Sequence, residues 1–305
     1  MSESAASTAD TATLLRGRVL VLVAGAGMSL GGLFIRSIEA ADEWQILFWR
    51  SIGLAAALLL LIAFRSKGKV VAAFRGAGRA AVIAGLCLAA GFICFIFSMT
   101  HTTVANTLFL LSAGPFIAAI LARLLLGEAV RRATWIAMSA AALGVVVMVG
   151  DGVAAGDPFG DLTALGAATG FAGYAVALRG GRGADMMPAT CLAGLVGILA
   201  AGLAIAAGGS GFAIAAPDLA ICLVYGALAI AGSLAIYTIG SRHVPAAELM
   251  LLALTEVVLG PVWVWLAFAE SPSLPTLAGG AILLLAITVQ ALSGMRRRPP
   301  PIGVV

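Results

Sequence analysis

The residues that could do chemistry here are few, because most of the chain is apolar. Glu256 stands out first. It lies about ten residues from either end of the apolar run 246–268, roughly 15 Å from each end if that run is helical. A carboxylate at such a depth in a membrane costs on the order of 2.5–3.5 kcal/mol, so it should face a cavity or a partner. Its expected role is to couple a proton or to pair with a substrate ammonium; the structural alternative is a protonated or internally paired carboxyl. Arg50 lies about six residues into the apolar run 45–64. It is a candidate clamp for a carboxylate, with helix packing or a reach to the nearer interface as the alternative. Arg123 is close enough to the end of its run to carry its charge out to the headgroups.

Uncharged polar groups are the next tier. Ser29, Ser233 and Thr255 fall near or beyond the middle of their runs, and Asn106, the sole asparagine, lies just inside the end of another. Such groups hydrogen-bond between helices or line polar cavities. Phe92, Phe95, Phe171, Tyr174 and Tyr237 are the aromatic candidates for a substrate pocket, against the plainer reading of lipid-facing or core side chains. Gly114–Pro115 and Gly260–Pro261 each remove a backbone donor inside a run and should break it. A break at depth is tolerated where protein or water meets the freed carbonyls, so these helices are expected to act as gates, with static kinks as the alternative. The pairs are 146 residues apart.

Hydrolytic chemistry has one formal signal. Gly27-Met28-Ser29-Leu30-Gly31 has the spacing of a nucleophile elbow. That device needs a strand before it, and both histidines, His101 and His243, fall at the ends of apolar runs. An intramembrane enzyme is therefore only a competing reading, as is a lipid-handling scaffold. No phosphate loop of the GxxxxGK[ST] type occurs, and nothing calls for a cofactor. Cys87, Cys94, Cys191 and Cys222 all sit in apolar runs without metal-ligand spacing and read as small core side chains.

The elements that must position these groups follow from composition. Of 305 residues, 62% are hydrophobic and 10% charged, with a mean hydropathy of +1.10; soluble domains have about 45–50% and 25%. A soluble, disordered or disulfide-stapled chain is excluded. Ten runs are long enough to cross a bilayer: 19–35, 45–64, 80–100, 103–126, 133–149, 162–178, 188–207, 219–240, 246–268 and 274–292. The connections are short, so no soluble domain is inserted. Residues 1–17 and 295–305 are expected as disordered cytoplasmic tails. Nine spans follow the first, which therefore reads as a span and not as a cleaved signal.

Charge placement orients the chain. Arg16 and Arg18, then Arg65, Lys67, Lys69, Arg75 and Arg79, then Arg131 and Arg132, Arg179 and Arg182, Arg242 and finally Arg296, Arg297 and Arg298 share one side. The other side has Arg36 with a set of carboxylates. The positive-inside rule puts the basic side, and both termini, in the cytoplasm. The net charge of +4 is thus an insertion signal and implies no nucleic-acid partner.

One offset relates the two halves. His101 and His243 are 142 residues apart, and the same shift pairs Phe95 with Tyr237, Leu110 with Leu252 and Glu128 with Glu270. Residues 18–150 and 160–294 read as two copies of five spans. Five is odd, so the second copy should run inverted, as in many secondary transporters with a midplane site. Because 146 is about one helical turn more than 142, the two Gly-Pro kinks are expected to be inequivalent.

The stretch Pro115–Phe116, Leu126–Gly127–Glu128, Trp135, Leu143–Gly144–Val145 resembles the EamA repeat of the drug/metabolite transporter superfamily. Pro261, Ala269–Glu270 and Leu285–Ala286–Ile287 resemble it more loosely, with alanine in place of two glycines. The resemblance implies an all-α polytopic protein of ten transmembrane helices in two inverted five-helix repeats. It implies export of amino acids or similar small metabolites across a bacterial-type inner membrane, the YddG-type amino-acid exporters being one branch. Uptake or multidrug transport on the same fold is the alternative. The expected partners are a small-molecule substrate, the lipid bilayer and protons.

Overall fold

The computed structural model describes residues 2–102, 104–149, 157–208, 211–268 and 274–292, and among them there is no strand. The first span is broken into α1 (Ser2–Met28) and α2 (Gly31–Arg36); α3 (Glu43–Arg65) and α4 (Val70–His101) follow. The fourth span comprises α5 (Val104–Leu111) and α6 (Gly114–Leu126), and α7 is Arg132–Val149. Then come α8 (Pro158–Gly180) and α9 (Met187–Gly208). The eighth span is α10 (Ala216–Val224), a π-helical segment Tyr225–Ile230, and α11 (Ala231–Ser241). The ninth is α12 (Ala246–Ala253) with α13 (Thr255–Phe268), and α14 (Leu274–Leu292) is the last. Nine spans among the described residues are long and apolar enough to cross a membrane, and α7 contributes a shorter apolar stretch, Arg132–Val147. The chain is a multi-pass membrane protein.

Local signals explain the boundaries. Asp42 and Gln45 cap α3 reciprocally, each side chain accepting the other's backbone N–H at 2.8 and 3.0 Å, which satisfies two donors that a helix start leaves open. Pro115 and Pro158 sit in the first turn of α6 and α8, where a missing N–H costs nothing. Gly127 closes α6 at φ 67°. Gly78, at φ 68°, splits α4, so that Val70–Ala77 leads into the third span proper.

Helix α1 begins at Ser2; the stretch up to Leu15 is rich in alanine and free of proline and glycine, which favours helix. The ninth span is interrupted at Leu254, and Gly260–Pro261 lie within α13. The tail 295–305 lies outside the described residues.

The helices pair closely: third with sixth, first with eighth, second with seventh, fifth with tenth, third with seventh, second with eighth. The fourth and ninth meet through α6 and α12. Glycines set several of these distances. A Cβ on Gly170 would stand 2.6 Å from the Gly91 nitrogen, and one on Gly85 2.9 Å from the Ala189 carbonyl. Large apolar side chains such as Leu228 and Leu124, 70% and 75% exposed, form the outer face. That face suits acyl chains and no aqueous solvent.

Candidate substrate site

Four interruptions of helical hydrogen bonding shape the interior. At the first, Ser29 and Leu30 separate α1 from α2. At the second, Pro115 has no N–H for the Leu111 carbonyl, and Ser112 and Ala113 turn back on Phe109 and Leu110. At the third, Leu254 bonds back to Leu251, and Val257 to Leu254. The Ser112 and Thr255 hydroxyls each donate to the carbonyl three residues earlier, at 2.6 and 2.8 Å. The fourth is the π segment that begins at Tyr225; such bulges occur often at functional sites.

Arg50 is the centre of what these interruptions surround. It is 1% exposed, and its guanidinium carbon lies 4.6 Å from the Phe92 ring centroid and 5.7 Å from that of Tyr225. Its Nε and Nη2 are buried with no hydrogen-bond partner. Phe34 of α2 stacks on Tyr225 at 5.3 Å, and a Cβ on Gly31 would stand 2.8 Å from the Tyr225 hydroxyl. Gly226 packs directly on the Arg50 carbonyl. The eighth span therefore presses its π segment onto the second at the arginine.

Glu256 lies in the first turn of α13, where a helix N-terminus favours negative charge. It forms no hydrogen bond or ion pair with any described residue and keeps part of its surface open. It is within electrostatic reach of Tyr225 and Tyr237. Arg50 thus lies over the Tyr225 ring, and Glu256 sits within electrostatic reach of it from another span, each without a protein counter-charge in contact.

The remaining candidates make contacts of their own. Tyr237 stacks on Tyr174 at 6.0 Å. The Tyr174 hydroxyl is shared with Thr190 and Thr238 at 2.8 and 3.1 Å, so Tyr174 positions its neighbour and has little hydroxyl capacity left. Phe171 touches Phe92 and Phe95 at 6.2 and 6.3 Å. Ser29 accepts a hydrogen bond from Trp263 Nε1 at 2.6 Å and donates to the Ala26 carbonyl at 2.6 Å. No base touches it among the described residues, so the elbow spacing brings no nucleophile. Ser233 packs against Gly27. Gly114 faces Met250 of α12, and Gly260 faces the Ser29 carbonyl at 3.9 Å, both measured from an added Cβ. The Asn106 side chain lies outside the described residues.

Sequence reasoning missed Tyr225, Trp263 and Phe34. The available signal was that Tyr225 is one of three tyrosines in the chain. It also missed a buried ion pair at the arginine-rich end. Arg18, counted as a topology signal, is 1% exposed and meets Glu248, 2% exposed, at 2.8 Å, and it donates to the Ala291 carbonyl at 2.9 Å. Arg179 binds Glu128 at 2.7 Å at the same end.

The broken helices and the two buried-span charges sit in a multi-pass membrane protein. Residues 15–150 match the EamA-like transporter family, which supports the resemblance of this chain to the drug/metabolite transporter superfamily. No curated protein matches it significantly in sequence. A solved structure titled "Crystal structure of protein" superposes with a TM-score of 0.76 at 17% identity, over 92% of this chain and 99% of that one. At that identity the likeness concerns the fold alone.

Proposed function

We propose that this protein is a secondary transporter that exports amino acids or similar small zwitterionic metabolites by alternating access. The observation that carries the reading is the split pair around Tyr225: Arg50 offers buried donors to a substrate carboxylate, and Glu256 offers a carboxylate to a substrate ammonium. An unmatched polar group at such depth is costly, and a bound zwitterion satisfies both at once. Phe92, Phe171 and Tyr237 supply an aromatic surround suited to an uncharged or apolar side chain. When substrate leaves, a proton on Glu256 replaces the lost ammonium, which couples transport to protons.

Two inverted repeats, 18–150 and 160–294, account for the architecture in this reading. Its support is twofold. The breaks at Ser112 and Leu254 are 142 residues apart, the offset that relates His101 to His243. Exchanging the first five spans with the last five also maps the helix pairings onto themselves: third with sixth becomes eighth with first, and third with seventh becomes eighth with second. The proposed topology puts both termini in the cytoplasm. At the arginine-rich end α6 and α12 pack together, while α5 leans on α7 and α8, and α13 on α1, α2 and α14. The fourth and ninth spans therefore meet at the cytoplasmic end and part towards the outside, which is the outward-open arrangement.

The test is uptake of a labelled amino-acid panel into proteoliposomes, with and without a pH gradient. Saturable transport is expected that a gradient accelerates in wild type but not in Glu256→Gln. The carboxamide of a transported amino acid should not compete, because it gives Arg50 no anion. Competition by the carboxamide equal to that of the acid would remove the carboxylate role of Arg50. No transport of any zwitterion by folded protein would overturn the substrate class.

A further inference from the structure

We infer that the membrane-facing groove between α6 and α7, at the arginine-rich end, binds the headgroup of an anionic phospholipid. The groove has a volume of about 360 Å³ and is lined by Ile120, Arg123, Leu124, Val130 and Trp135 among others. Ile120 and Leu124 are 54% and 75% exposed, so one wall of the groove faces acyl chains. Arg123 is exposed in the last turn of α6 and has no ion-pair or hydrogen-bond partner among the described residues. The nearest carboxylate in sequence, Glu128, is already engaged by Arg179 at 2.7 Å.

Charge complementarity selects the occupant. At this end Arg18, Arg65, Arg179 and Arg242 all have carboxylate partners. Arg123, together with Arg131 and Arg132 at the start of α7, has none among the described residues. Arg123 thus supplies the guanidinium in the groove, with Arg131 and Arg132 following directly in sequence after its Ala129–Val130 wall. Arg123 lies about one turn inside the end of α6, roughly 5 Å, so its stem can carry the charge to phosphate level. Trp135 borders the groove with its ring nitrogen unengaged by described residues, and tryptophan favours this depth. Basic pockets between helices on the cytoplasmic side take acidic headgroups in this manner. The residue 142 positions after Arg123 is Trp265, so the second half lacks the equivalent guanidinium, and one site per chain is expected.

The experiment titrates purified protein in neutral detergent with phosphatidylglycerol, phosphatidylcholine or the chain-free headgroup glycerophosphoglycerol, read by native mass spectrometry. Wild type should retain one phosphatidylglycerol more tightly than phosphatidylcholine. Arg123→Gln should weaken that lipid about five-fold, Trp135→Leu should weaken it in the same direction, and Arg182→Gln, an exposed basic site away from the groove, should leave it unchanged. Unliganded melting temperatures equal to wild type would show that the variants are folded. Equal losses in Arg123→Gln and Arg182→Gln would mean diffuse charge attraction and overturn the site. Equal retention of the two lipids would overturn it as well, and glycerophosphoglycerol binding as tightly as the lipid would make the ligand a phosphate and not a lipid.

Discussion

Arg50 owes its position to two aromatic faces. A guanidinium over a desolvated ring gains about 2 kcal/mol, which offsets part of the cost of burying it. Its planar fork leaves donors for a carboxylate, whereas an ammonium is a single point of charge. Arg50→Lys should therefore fold but lose at least about ten-fold in transport efficiency, corresponding to roughly 1.4 kcal/mol. Initial rates in proteoliposomes check this, and wild-type rates in the lysine variant would reduce Arg50 to packing. The Arg18–Glu248 pair tests the opposite case, in which both partners are present. Removing one partner of a buried pair leaves an uncompensated charge and costs about 3–5 kcal/mol. Glu248→Gln should melt well below wild type, and the double variant Arg18→Met/Glu248→Leu should recover most of the loss. A double variant no better than the single one would mean that Arg18 is held by the Ala291 carbonyl and its packing.

Breaks in helices are legible only in part, and the fourth and ninth spans show why. In the fourth, Pro115 both marks and makes the break, since its missing donor frees the Leu111 carbonyl. In the ninth, Pro261 is absorbed within α13, and the chain turns seven residues earlier, where the Thr255 hydroxyl bonds back to Leu252. A hydroxyl that competes with backbone in this way looks in sequence like any other threonine in a span. Glu256 and Arg50 were legible because charge inside a span is costly and so conspicuous. Tyr225 and Trp263 were not, because an aromatic side chain in a membrane helix is commonplace. The π segment has no sequence signature at all. Pro115→Ala should restore the missing donor, straighten the fourth span and slow transport while stability holds or rises. Pro261→Ala should change transport little, because the ninth span breaks elsewhere. Equal slowing by the two in the same vesicle assay would contradict the placement of the ninth-span break.

At the scale of the whole molecule, the two ends of the bundle differ. The arginine-rich end is tied by Arg18–Glu248, by Arg179–Glu128 and by the contact of α6 with α12. On the other side of the breaks, α5 and α13 pack on different neighbours. A central carboxylate should therefore be reached by water from the acidic end alone. A chain whose four cysteines are replaced by alanine, carrying Glu256→Cys, makes this measurable. In right-side-out membranes an impermeant maleimide should label that thiol, and in inverted membranes it should not. Adding Arg18→Gln removes one tie, shifts the population towards opening at the arginine-rich end, and should make the thiol reactive in inverted membranes as well. The shift is limited to the free energy by which the tie favours the closed end, so partial labelling is the expected result. Equal labelling from both sides before Arg18 is changed would mean that the arginine-rich end is no barrier. Labelling confined to inverted membranes would reverse the orientation of the open cavity and, with it, the state of the transport cycle assigned to this structure.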